Sequence, residues 1–415
     1  METESPKIAI IGAGISGLIA ALNLEEQGYS PVIYEKTDSV GGRVKTSIID
    51  GYQLDHGFQV LLDAYPMASK YLDYDSLELQ NFLPGAQIFK KGKSVSIGDP
   101  LREPNLLFST LFSGIGNIQD KWKILKLNNS LKRKTLEKIF MEPETSTISY
   151  LKDLGFSEEM ISTFFKPFFN GIFLEPNLET SSRMFQFVYK MFGMGHAAVP
   201  KAGIEAIPLQ LKNRLRRTSF KFNTTVTSCR NGELLFSDDT KEFVDYTIIA
   251  TEASQVMPNL KTQQIAWHSS DTLYFTCLKK SIKKPLIGLI ADKGALINNF
   301  FYHTSLQCLQ QGEDELLSVT VVKNHDLTEY QLIQEVKKEL KKFANIDVDR
   351  YLKRYSIKKA LPDTKDLRYS MIPTETRLTD RIFLAGDYLL NGSLNAAMTS
   401  GETAAKGIME VIAMG

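Results

Sequence analysis

A glycine-rich turn near the start of the chain constrains the fold more than any other feature. An apolar run over residues 7–11 has the pattern of a short buried strand, and a helical pattern follows it to about Gln27. The turn between these elements has three glycines, at Gly12, Gly14 and Gly17. The first allows a tight turn, the second lets the backbone approach a pyrophosphate, and the third allows close packing of helix on strand. The pattern therefore predicts a phosphate site at the N-terminus of this helix.

A second strand and an acidic residue follow at the spacing of a dinucleotide site. Val32–Tyr34 is a short apolar strand, and Glu35 comes directly after it. A carboxylate at this strand end can accept hydrogen bonds from the ribose of an adenosine. The alternative is a glycine-rich turn that serves only packing. The first strand, the helix that follows the glycine turn, the second strand and Glu35 come in the order and at the spacing of a dinucleotide site. We therefore predict dinucleotide binding by Gly12, Gly14, Ile15, Ser16, Gly17, Glu35 and Lys36.

A further glycine pair indicates which dinucleotide is bound. Gly41 and Gly42 permit close backbone approach, and Arg43 can meet phosphate charge with a charge-assisted hydrogen bond. A nicotinamide cofactor needs no such turn here, whereas FAD continues past its pyrophosphate towards the ribityl chain. This stretch and residues 54–59 resemble the FAD-dependent amine oxidase superfamily, which includes protoporphyrinogen oxidases and phytoene desaturase-like enzymes; a surface turn with a solvated arginine is the alternative. The resemblance implies further FAD contacts at Gly57, Phe58 and Gln59.

The C-terminal part of the chain resembles the same superfamily. An apolar strand ends in Gly386-Asp387, which is similar to the family's C-terminal flavin motif, whose carboxylate meets the ribityl region. The next helix is expected to begin near Ser393, a favourable N-cap residue, with its positive end near the flavin edge that becomes negative on reduction. A carboxylate that only caps this helix is the alternative role of Asp387. The implied contacts are Gly386, Asp387, Ser393, Leu394 and Asn395, and small residues suited to close helix packing follow at Ala397, Gly401, Ala404 and Ala405.

Length and composition bound the class of protein. A chain of 415 residues with 43% hydrophobic residues can bury a large core and suggests two or more domains. A net charge of +1 argues against nucleic-acid binding. The five histidines lack metal-ligand spacing, so we expect no metal. The three cysteines are far apart and distant from both flavin motifs, which predicts noncovalent FAD and no disulfide framework; they are Cys229, Cys277 and Cys308.

No segment has the features of a signal peptide or of a membrane-spanning helix, and we expect a cytoplasmic protein. The region 105–134 could still make peripheral membrane contact, since residues 105–112 are apolar and residues 121–134 are basic and amphipathic. A lipophilic substrate could then enter beside this helix. An ordinary exposed helix that packs its apolar face on the protein is the alternative, and we favour it. The expected partner is a small-molecule substrate, and the sequence leaves the oligomeric state open.

The motifs lie in separate parts of the chain, which indicates a discontinuous domain. We predict an α/β fold whose Rossmann-like FAD-binding domain is built from residues 1–66, 200–262 and 356–415. Residues 67–199 and 266–355 are predicted to form an inserted α+β substrate domain, a mixed sheet plus a helical cap. The first insertion has a mostly helical pattern, and the strand-like runs lie in the second.

Two strand ends in the predicted segment 200–262 are expected beside the cofactor. A strand predicted over residues 220–225 ends next to Val226, which could present its backbone to adenine. Ala250-Thr251-Glu252 resembles the family's strand end beside the cofactor. The run Phe164–Phe173 is similar to a segment of the protoporphyrinogen oxidase and desaturase-like branch, and we expect its aromatic residues to be core rather than pocket.

Catalytic residues are the least defined part of the prediction. The flavin supplies the redox chemistry, and the protein positions the reacting C–H bond near flavin N5, so no metal or obligatory acid–base residue is required. The flavin-adjacent candidates are His56, Gln59 and Tyr388. Amine oxidases of this superfamily often place a lysine near N5 from the first substrate-domain strand. Residues 272–276 have none, which puts simple amine oxidation in doubt, and Lys358 and Lys359 precede another candidate pocket strand, where such charges are usually solvated.

Three functions therefore remain. The leading one is an FAD-dependent oxidase or dehydrogenase that transfers a hydride to flavin N5 from a hydrophobic or cyclic organic substrate. The second is a flavin-dependent isomerase without net redox change. The third is a flavin-binding protein without catalysis.

Overall fold

The structure is a computed structural model that describes residues 5–98, 115–260 and 262–414. Its strands, in chain order, are β1 (Ile8–Ile11), β2 (Val32–Tyr34), β3 (Thr46–Ile49), β4 (Tyr52–Asp55), β5 (Leu61–Leu62), β6 (Leu79–Asn81), β7 (Gly85–Lys90), β8 (Lys93–Gly98), β9 (Ala197–Pro200), β10 (Ser219–Lys221), β11 (Val226–Arg230), β12 (Glu233–Phe236), β13 (Lys241–Phe243), β14 (Tyr246–Ile249), β15 (Ala266–Cys277), β16 (Ile287–Ile290), β17 (Ile297–Tyr302), β18 (Glu315–Val321), β19 (Tyr351–Asp363) and β20 (Ile382–Leu384).

The helices lie between these strands and at the C-terminal end. In chain order they are α1 (Ile15–Glu26), α2 (Pro66–Tyr71), α3 (Tyr74–Leu77), α4 (Ile118–Arg133), α5 (Leu136–Phe140), α6 (Thr147–Asp153), α7 (Glu158–Met160), α8 (Lys166–Phe173), α9 (Ser182–Met194), α10 (Ala206–Arg214), α11 (Ala253–Val256), α12 (Glu329–Ala344), α13 (Pro373–Thr376) and α14 (Leu394–Met414). A π-helical turn, Ile161–Phe165, joins α7 to α8. In the described part of the chain, every helix is too short or too polar to cross a bilayer.

A five-stranded parallel sheet forms the nucleotide-binding part of the molecule. Its order is β10-β2-β1-β14-β20, and all neighbouring strands run parallel. Strand β1 is buried along its whole length, as expected for a parallel sheet covered on both faces. The strand predicted over residues 220–225 is shorter and is β10, because Asn223 adopts a positive φ of 52° and turns the chain. The predicted Rossmann-like fold is confirmed.

A seven-stranded mixed sheet forms the second half. Its order is β19-β15-β18-β17-β16-β7-β8, and only β16 and β7 pair in parallel. The apolar side chains of one face pack against α12 in a separate core. The predicted mixed sheet with helices is therefore confirmed as part of the fold. The sequence did not indicate that β7 and β8 would come from the first insertion, which has a mostly helical pattern.

Strand β19 runs across a predicted domain boundary. Its residues pair with β15 from Tyr351 to Asp363, whereas the third FAD-binding segment was predicted to begin at residue 356. We therefore propose residues 1–66, 200–262 and 364–415 as the FAD-binding segments, with the remainder as the substrate domain.

The C-terminal helix α14 packs closely on α1. A Cβ atom added to Gly401 would lie 2.3 Å from the carbonyl oxygen of Ser16, so only glycine allows this approach. Ala404 and Ala405 are fully buried on the same helix. The predicted role of the small residues in helix packing is confirmed, and it places the N-terminus of α14 near the glycine-rich turn.

Glu402 on α14 fixes this helix to α2. Its carboxylate accepts hydrogen bonds from Lys70 Nζ (2.6 Å), Tyr71 OH (2.7 Å) and Lys406 Nζ (2.6 Å). Burial alone would raise the pKa of Glu402, but these donors outweigh it and lower the pKa from 4.5 to about 2. A carboxyl group with a lowered folded-state pKa stabilises the protein above its unfolded pKa, and that contribution is lost as the pH falls from 4.5 to about 2.

We predict that Glu402→Gln lowers the free energy of unfolding at neutral pH by about 1–3 kcal/mol, because it removes charge-assisted hydrogen bonds. Urea denaturation at several pH values measures this, and the difference from the parent protein should shrink as the pH approaches 2. Glu410→Gln, on the exposed part of the same helix, is the control. A loss of stability that does not vary with pH would contradict the prediction.

Candidate functional site

A cavity of about 1560 Å³ is lined by residues from both halves of the molecule. Pockets for one drug-sized ligand hold roughly 300–1,000 Å³, so one such ligand does not fill this cavity. Most residues predicted to bind the cofactor line it: Gly12, Gly14, Ile15, Ser16, Glu35, Lys36, Gly41, Gly42, Arg43, Gly57, Phe58, Gln59, Ala250, Thr251, Gly386, Asp387, Ser393 and Leu394. The flavin-adjacent candidates His56 and Tyr388 line it too. The structure thus brings together motifs from the two ends of the chain.

Three predicted residues have other surroundings and do not line the cavity. Gly17 serves packing, since a Cβ there would lie 2.1 Å from the carbonyl oxygen of Gly12. Val226 is buried in the core beside the parallel sheet. Asn395 accepts a hydrogen bond from the Met67 backbone N–H at 3.0 Å, and its Nδ2 is buried with no hydrogen-bond partner among the described residues.

The two glycine turns, which contain Gly12, Gly14, Gly41 and Gly42, form one wall of the cavity, called here the glycine wall. Gly14 and Gly41 form a parallel bridge, and the Gly41 N–H donates to the Ala13 carbonyl at 2.9 Å. A Cβ on Gly14 would meet no protein atom within 4 Å, so this position faces open space in the cavity. Gly42 has a φ of 60° and lies against Gly14, where a Cβ would be 3.4 Å from the Gly14 Cα. Bare backbone at a helix N-terminus is suited to a pyrophosphate.

Glu35 is held at the edge of this wall. Its Oε2 accepts the Ala13 N–H at 2.8 Å, and its Oε1 accepts the Thr37 N–H at 2.9 Å and the Thr37 hydroxyl at 2.8 Å. A carboxylate has about four acceptor positions, so one remains after these three bonds. The remaining position suits a ribose hydroxyl, and Glu35 also stabilises the turn itself.

Arg43 and Asp387 connect the second glycine turn to the C-terminal motif. Arg43 Nη2 lies 2.6 Å from Asp387 Oδ1, and Arg43 Nη1 donates to the Ala360 carbonyl at 3.2 Å. Burial works against the charge of Arg43, but Asp387 outweighs it and raises the pKa of the guanidinium. Gln59 holds the turn, because its Nε2 donates to the carbonyls of Arg43 and His56, both at 2.9 Å. The site therefore offers a fixed cation for phosphate and a carboxylate acceptor for hydroxyls.

His56 and Tyr388 are both uncharged groups at neutral pH. His56 stacks on Tyr355 with ring centroids 4.2 Å apart and shares a 2.7 Å hydrogen bond with Ser47 Oγ. Burial, with Lys45 and Lys353 nearby, lowers the pKa of His56. The Tyr388 hydroxyl donates to the Thr251 carbonyl at 3.1 Å, and burial raises the pKa of this hydroxyl. Both groups can therefore orient a ligand through hydrogen bonds.

The far end of the cavity is an aromatic chamber. Its apolar lining comes from α8, α9 and the π-helical turn, and includes Phe164, Phe168, Phe169, Ile172, Phe173, Met184, Val188, Tyr189 and Phe192. Phe169 and Phe173 are almost fully buried, while Phe164 and Phe168 are partly exposed. The prediction that the aromatic residues of 164–173 are core is therefore only partly correct. The helix carries them on more than one side, so some also line the cavity.

A polar group of three side chains adjoins the glycine turns, and only Glu252, in the strand end Ala250-Thr251-Glu252, was expected beside the cofactor. Glu252, Trp267 and Lys359 line the cavity and contact one another. The Lys358-Lys359 pair was noticed, but a strand-end charge was expected to be solvated. Trp267 gave no signal beyond being one of two tryptophans in the chain.

The three cysteines are unpaired and lie away from the cavity lining. Cys229 and Cys277 are buried, and burial raises the pKa of the Cys229 thiol to about 11 and that of Cys277 to about 12. Neither is a reactive thiolate at neutral pH. This supports the prediction of noncovalent FAD.

The fold and the cavity define a dinucleotide-binding protein whose bare-backbone wall, acidic strand end and Arg43–Asp387 pair fit FAD. The chain belongs to the flavin-containing amine oxidoreductase family, whose model matches residues 15–409. Membership confirms the resemblance and makes the chain a flavoprotein.

Two relatives illustrate the sequence similarity. The chain is 28% identical over 165 residues to protoporphyrinogen oxidase 2, chloroplastic/mitochondrial, of Arabidopsis thaliana, covering 40% of this chain and 32% of that one. It is 28% identical over 171 residues to a 4,4'-diapophytoene desaturase of Staphylococcus aureus, covering 37% and 34%. The chain thus spans about a third of the length of the curated relatives it matches.

Solved structures share the fold over nearly the whole chain. Cyclohexylamine oxidase from Brevibacterium oxydans gives a TM-score of 0.69 at 15% identity, covering 99% of this chain and 100% of that one. Putrescine oxidase bound to putrescine gives 0.70 at 16% identity, covering 98% and 99%. At these identities the similarity shows the fold alone.

Proposed function

We propose that this protein is an FAD-dependent oxidoreductase that takes two electrons from a hydrophobic or cyclic organic substrate. The observation that carries this proposal is the continuity of the cavity, which runs from the glycine wall to the aromatic chamber. FAD bound at the glycine wall supplies a two-electron acceptor. The chain itself binds the substrate body in the chamber, excludes water from it and orients the reacting carbon towards the cofactor.

The lining of the cavity favours an apolar substrate over an amine. Strand β15 carries threonine at positions 272 and 276 and no lysine between them, unlike the amine oxidases of the superfamily. On the mixed-sheet side, the cavity is lined by the neutral side chains of Asn299 and Thr320. These two are hydrogen-bonded to each other, with Asn299 Nδ2 donating to Thr320 Oγ1 at 3.3 Å. The names of the relatives, a protoporphyrinogen oxidase and a diapophytoene desaturase, point to the same kind of substrate.

Anaerobic reduction of the bound flavin tests the proposal. We expect absorbance loss with polyenes or porphyrinogens and none with primary amines. Phe168→Ala should weaken the response by enlarging the chamber, whereas Phe243→Ala, on an exposed side chain, should not. Reduction by amines alone would contradict the substrate class. An isomerised product formed only with reduced flavin would support the isomerase alternative, and no response to any compound would support a flavin-binding role without catalysis.

We also propose that α4 contacts a membrane beside the cavity. The predicted apolar run 105–112 lies outside the described residues, so the proposal rests on the helix. Its Leu127 and Leu131 pack inside, while Ile118 and Trp122 are 74% and 70% exposed. The same helix lines the cavity with Ile124, Leu125 and Asn128. Exposed apolar residues beside lysines on one helix suit an anionic lipid surface.

Vesicle binding tests this contact. Trp122→Ala should reduce binding to vesicles that contain phosphatidylserine, because it removes the largest exposed apolar side chain of α4. Phe243→Ala, which removes an equally exposed aromatic ring from β13, is the control. Equal binding by both variants and the parent protein, or no binding at all, would favour an ordinary exposed helix.

A further inference from the structure

Lys359 is brought to the cofactor cavity by an irregularity in the mixed sheet. Strands β15 and β19 pair regularly on either side, with Ser270 opposite Ile357 and His268 opposite Leu361. Between these pairs, residues 358–360 lie opposite Ser269 alone. Such a bulge bends the strand and redirects side chains, and bulges are common next to active sites. Lys359 and Ala360 both line the cavity as a result.

The bulge connects the substrate sheet to three parts of the nucleotide-binding segments. Lys359 Nζ donates to Glu252 Oε1, in the turn that follows β14. The Ala360 carbonyl accepts from Arg43 Nη1 at 3.2 Å. Arg43 in turn pairs with Asp387. The edge strand β19 is therefore hydrogen-bonded to the turn after β14 and to the second glycine turn, and Arg43 extends this connection to Asp387.

Trp267 completes this group. Two cations lie near its ring, with the Arg43 guanidinium 5.2 Å and Lys359 Nζ 5.9 Å from the ring centroid. Its Nε1 donates to Glu252 Oε2 at 3.3 Å. A cation near the face of a tryptophan is attracted by the ring. Trp267 thus contacts Arg43, Lys359 and Glu252.

The charge of the Glu252 carboxylate is paired with that of Lys359. Its side chain is only 9% exposed, whereas that of Lys359 is 52% exposed. The neutral donors Gln255 Nε2, at 2.7 Å, and Trp267 Nε1 bond to the carboxylate but do not balance its charge. Without Lys359, the nearly buried Glu252 carboxylate would keep only the attraction of Arg43, and its charge would oppose the phosphates that Arg43 is placed to bind.

We propose that the Lys359–Glu252 pair, with Trp267, is an interdomain clasp that retains FAD by tying the substrate sheet to the nucleotide-binding segments. Lys359 is a positioning residue in this arrangement. It acts on the cofactor through Glu252 and Arg43. The rate of FAD release does not depend on substrate oxidation. A failed clasp proposal and a failed proposed function would therefore give different experimental results.

The rate of FAD release tests the clasp. In holoprotein diluted into excess apo-D-amino-acid oxidase, which takes up free FAD, Lys359→Met should release FAD about tenfold faster than the parent protein, because the nearly buried Glu252 carboxylate loses its cationic partner. Lys359→Arg keeps the charge and should stay close to the parent rate. Lys358→Met, on the exposed neighbour in the same bulge, is the matched control and should have no effect. Release from Lys359→Met at the parent rate would overturn the proposal.

A second variant guards against misfolding. Glu252→Gln with Lys359→Met removes both charges and leaves no buried carboxylate unpaired, so it is expected to fold even where the single variant does not. The clasp predicts faster FAD release from this double variant than from the parent, and parent-like release would overturn the proposal. A Trp122→Phe background leaves Trp267 as the only tryptophan, so its fluorescence reports directly on the clasp. We expect its emission to change with Lys359→Met and not with Lys358→Met.

Discussion

Replacing Gly14 with valine is expected to abolish FAD retention while leaving the fold intact. Gly14 has φ −71° and ψ 178°, an extended conformation that any residue can adopt. A Cβ there meets no protein atom within 4 Å. The added methyl groups would therefore occupy the cavity where the pyrophosphate must approach the backbone. Flavin content per protein and the melting temperature of the apoprotein measure the two parts of this prediction.

Gly17→Val is the matched comparison in the same motif. A Cβ at Gly17 would lie 2.1 Å from the Gly12 carbonyl oxygen, so this change should disrupt packing and lower the melting temperature itself. The two glycines thus separate a binding role from a packing role. A folded Gly14→Val protein with stoichiometric FAD would show that the glycine wall does not bind the cofactor.

Replacing Arg43 with methionine is expected to weaken both FAD binding and the fold. It leaves Asp387, which is only 5% exposed, without its counter-charge. Because Arg43 itself is partly exposed, we expect a cost of about 1–3 kcal/mol in the free energy of unfolding of the apoprotein. FAD affinity should fall further, because the phosphate loses a charge-assisted donor. Urea denaturation and FAD titration measure the two effects.

Combining Arg43→Met with Asp387→Asn separates these effects. The double variant has no unpaired carboxylate, so the apoprotein should regain much of its stability, while FAD binding should stay weak. Full recovery of FAD affinity in the double variant would show that the pair is structural and does not bind the cofactor.

The parallel sheet could be predicted well from sequence because its signals are local. Strands β1 and β2 are short apolar runs, and the glycine turn between them needs no distant information. The C-terminal motif was also found because Gly386-Asp387 ends an apolar strand. Only the strand near residue 220 was overestimated, since the positive φ of Asn223 cannot be read from hydrophobic periodicity.

The contacts among Glu252, Trp267 and Lys359 could not be predicted because they depend on long-range pairing. Glu252 and Lys359 are 107 residues apart, and their contact requires both the register of β15 with β19 and a bulge in β19. Val226 and Asn395 were expected at the cofactor from strand ends and helix starts. Neither residue lines the cavity: the Val226 side chain packs in the core and Asn395 accepts a hydrogen bond from the Met67 backbone N–H, contacts that depend on tertiary packing.

Acid precipitation of the purified holoprotein tests the central claim, that this cavity holds FAD without a covalent bond. The account predicts a yellow protein with about one FAD per chain and complete release of the flavin to the supernatant. The glycine wall and the position of the three cysteines outside the cavity lining are the reasons. Flavin that remains on the pellet would contradict noncovalent binding, and a protein that takes up no FAD on reconstitution would contradict the site itself.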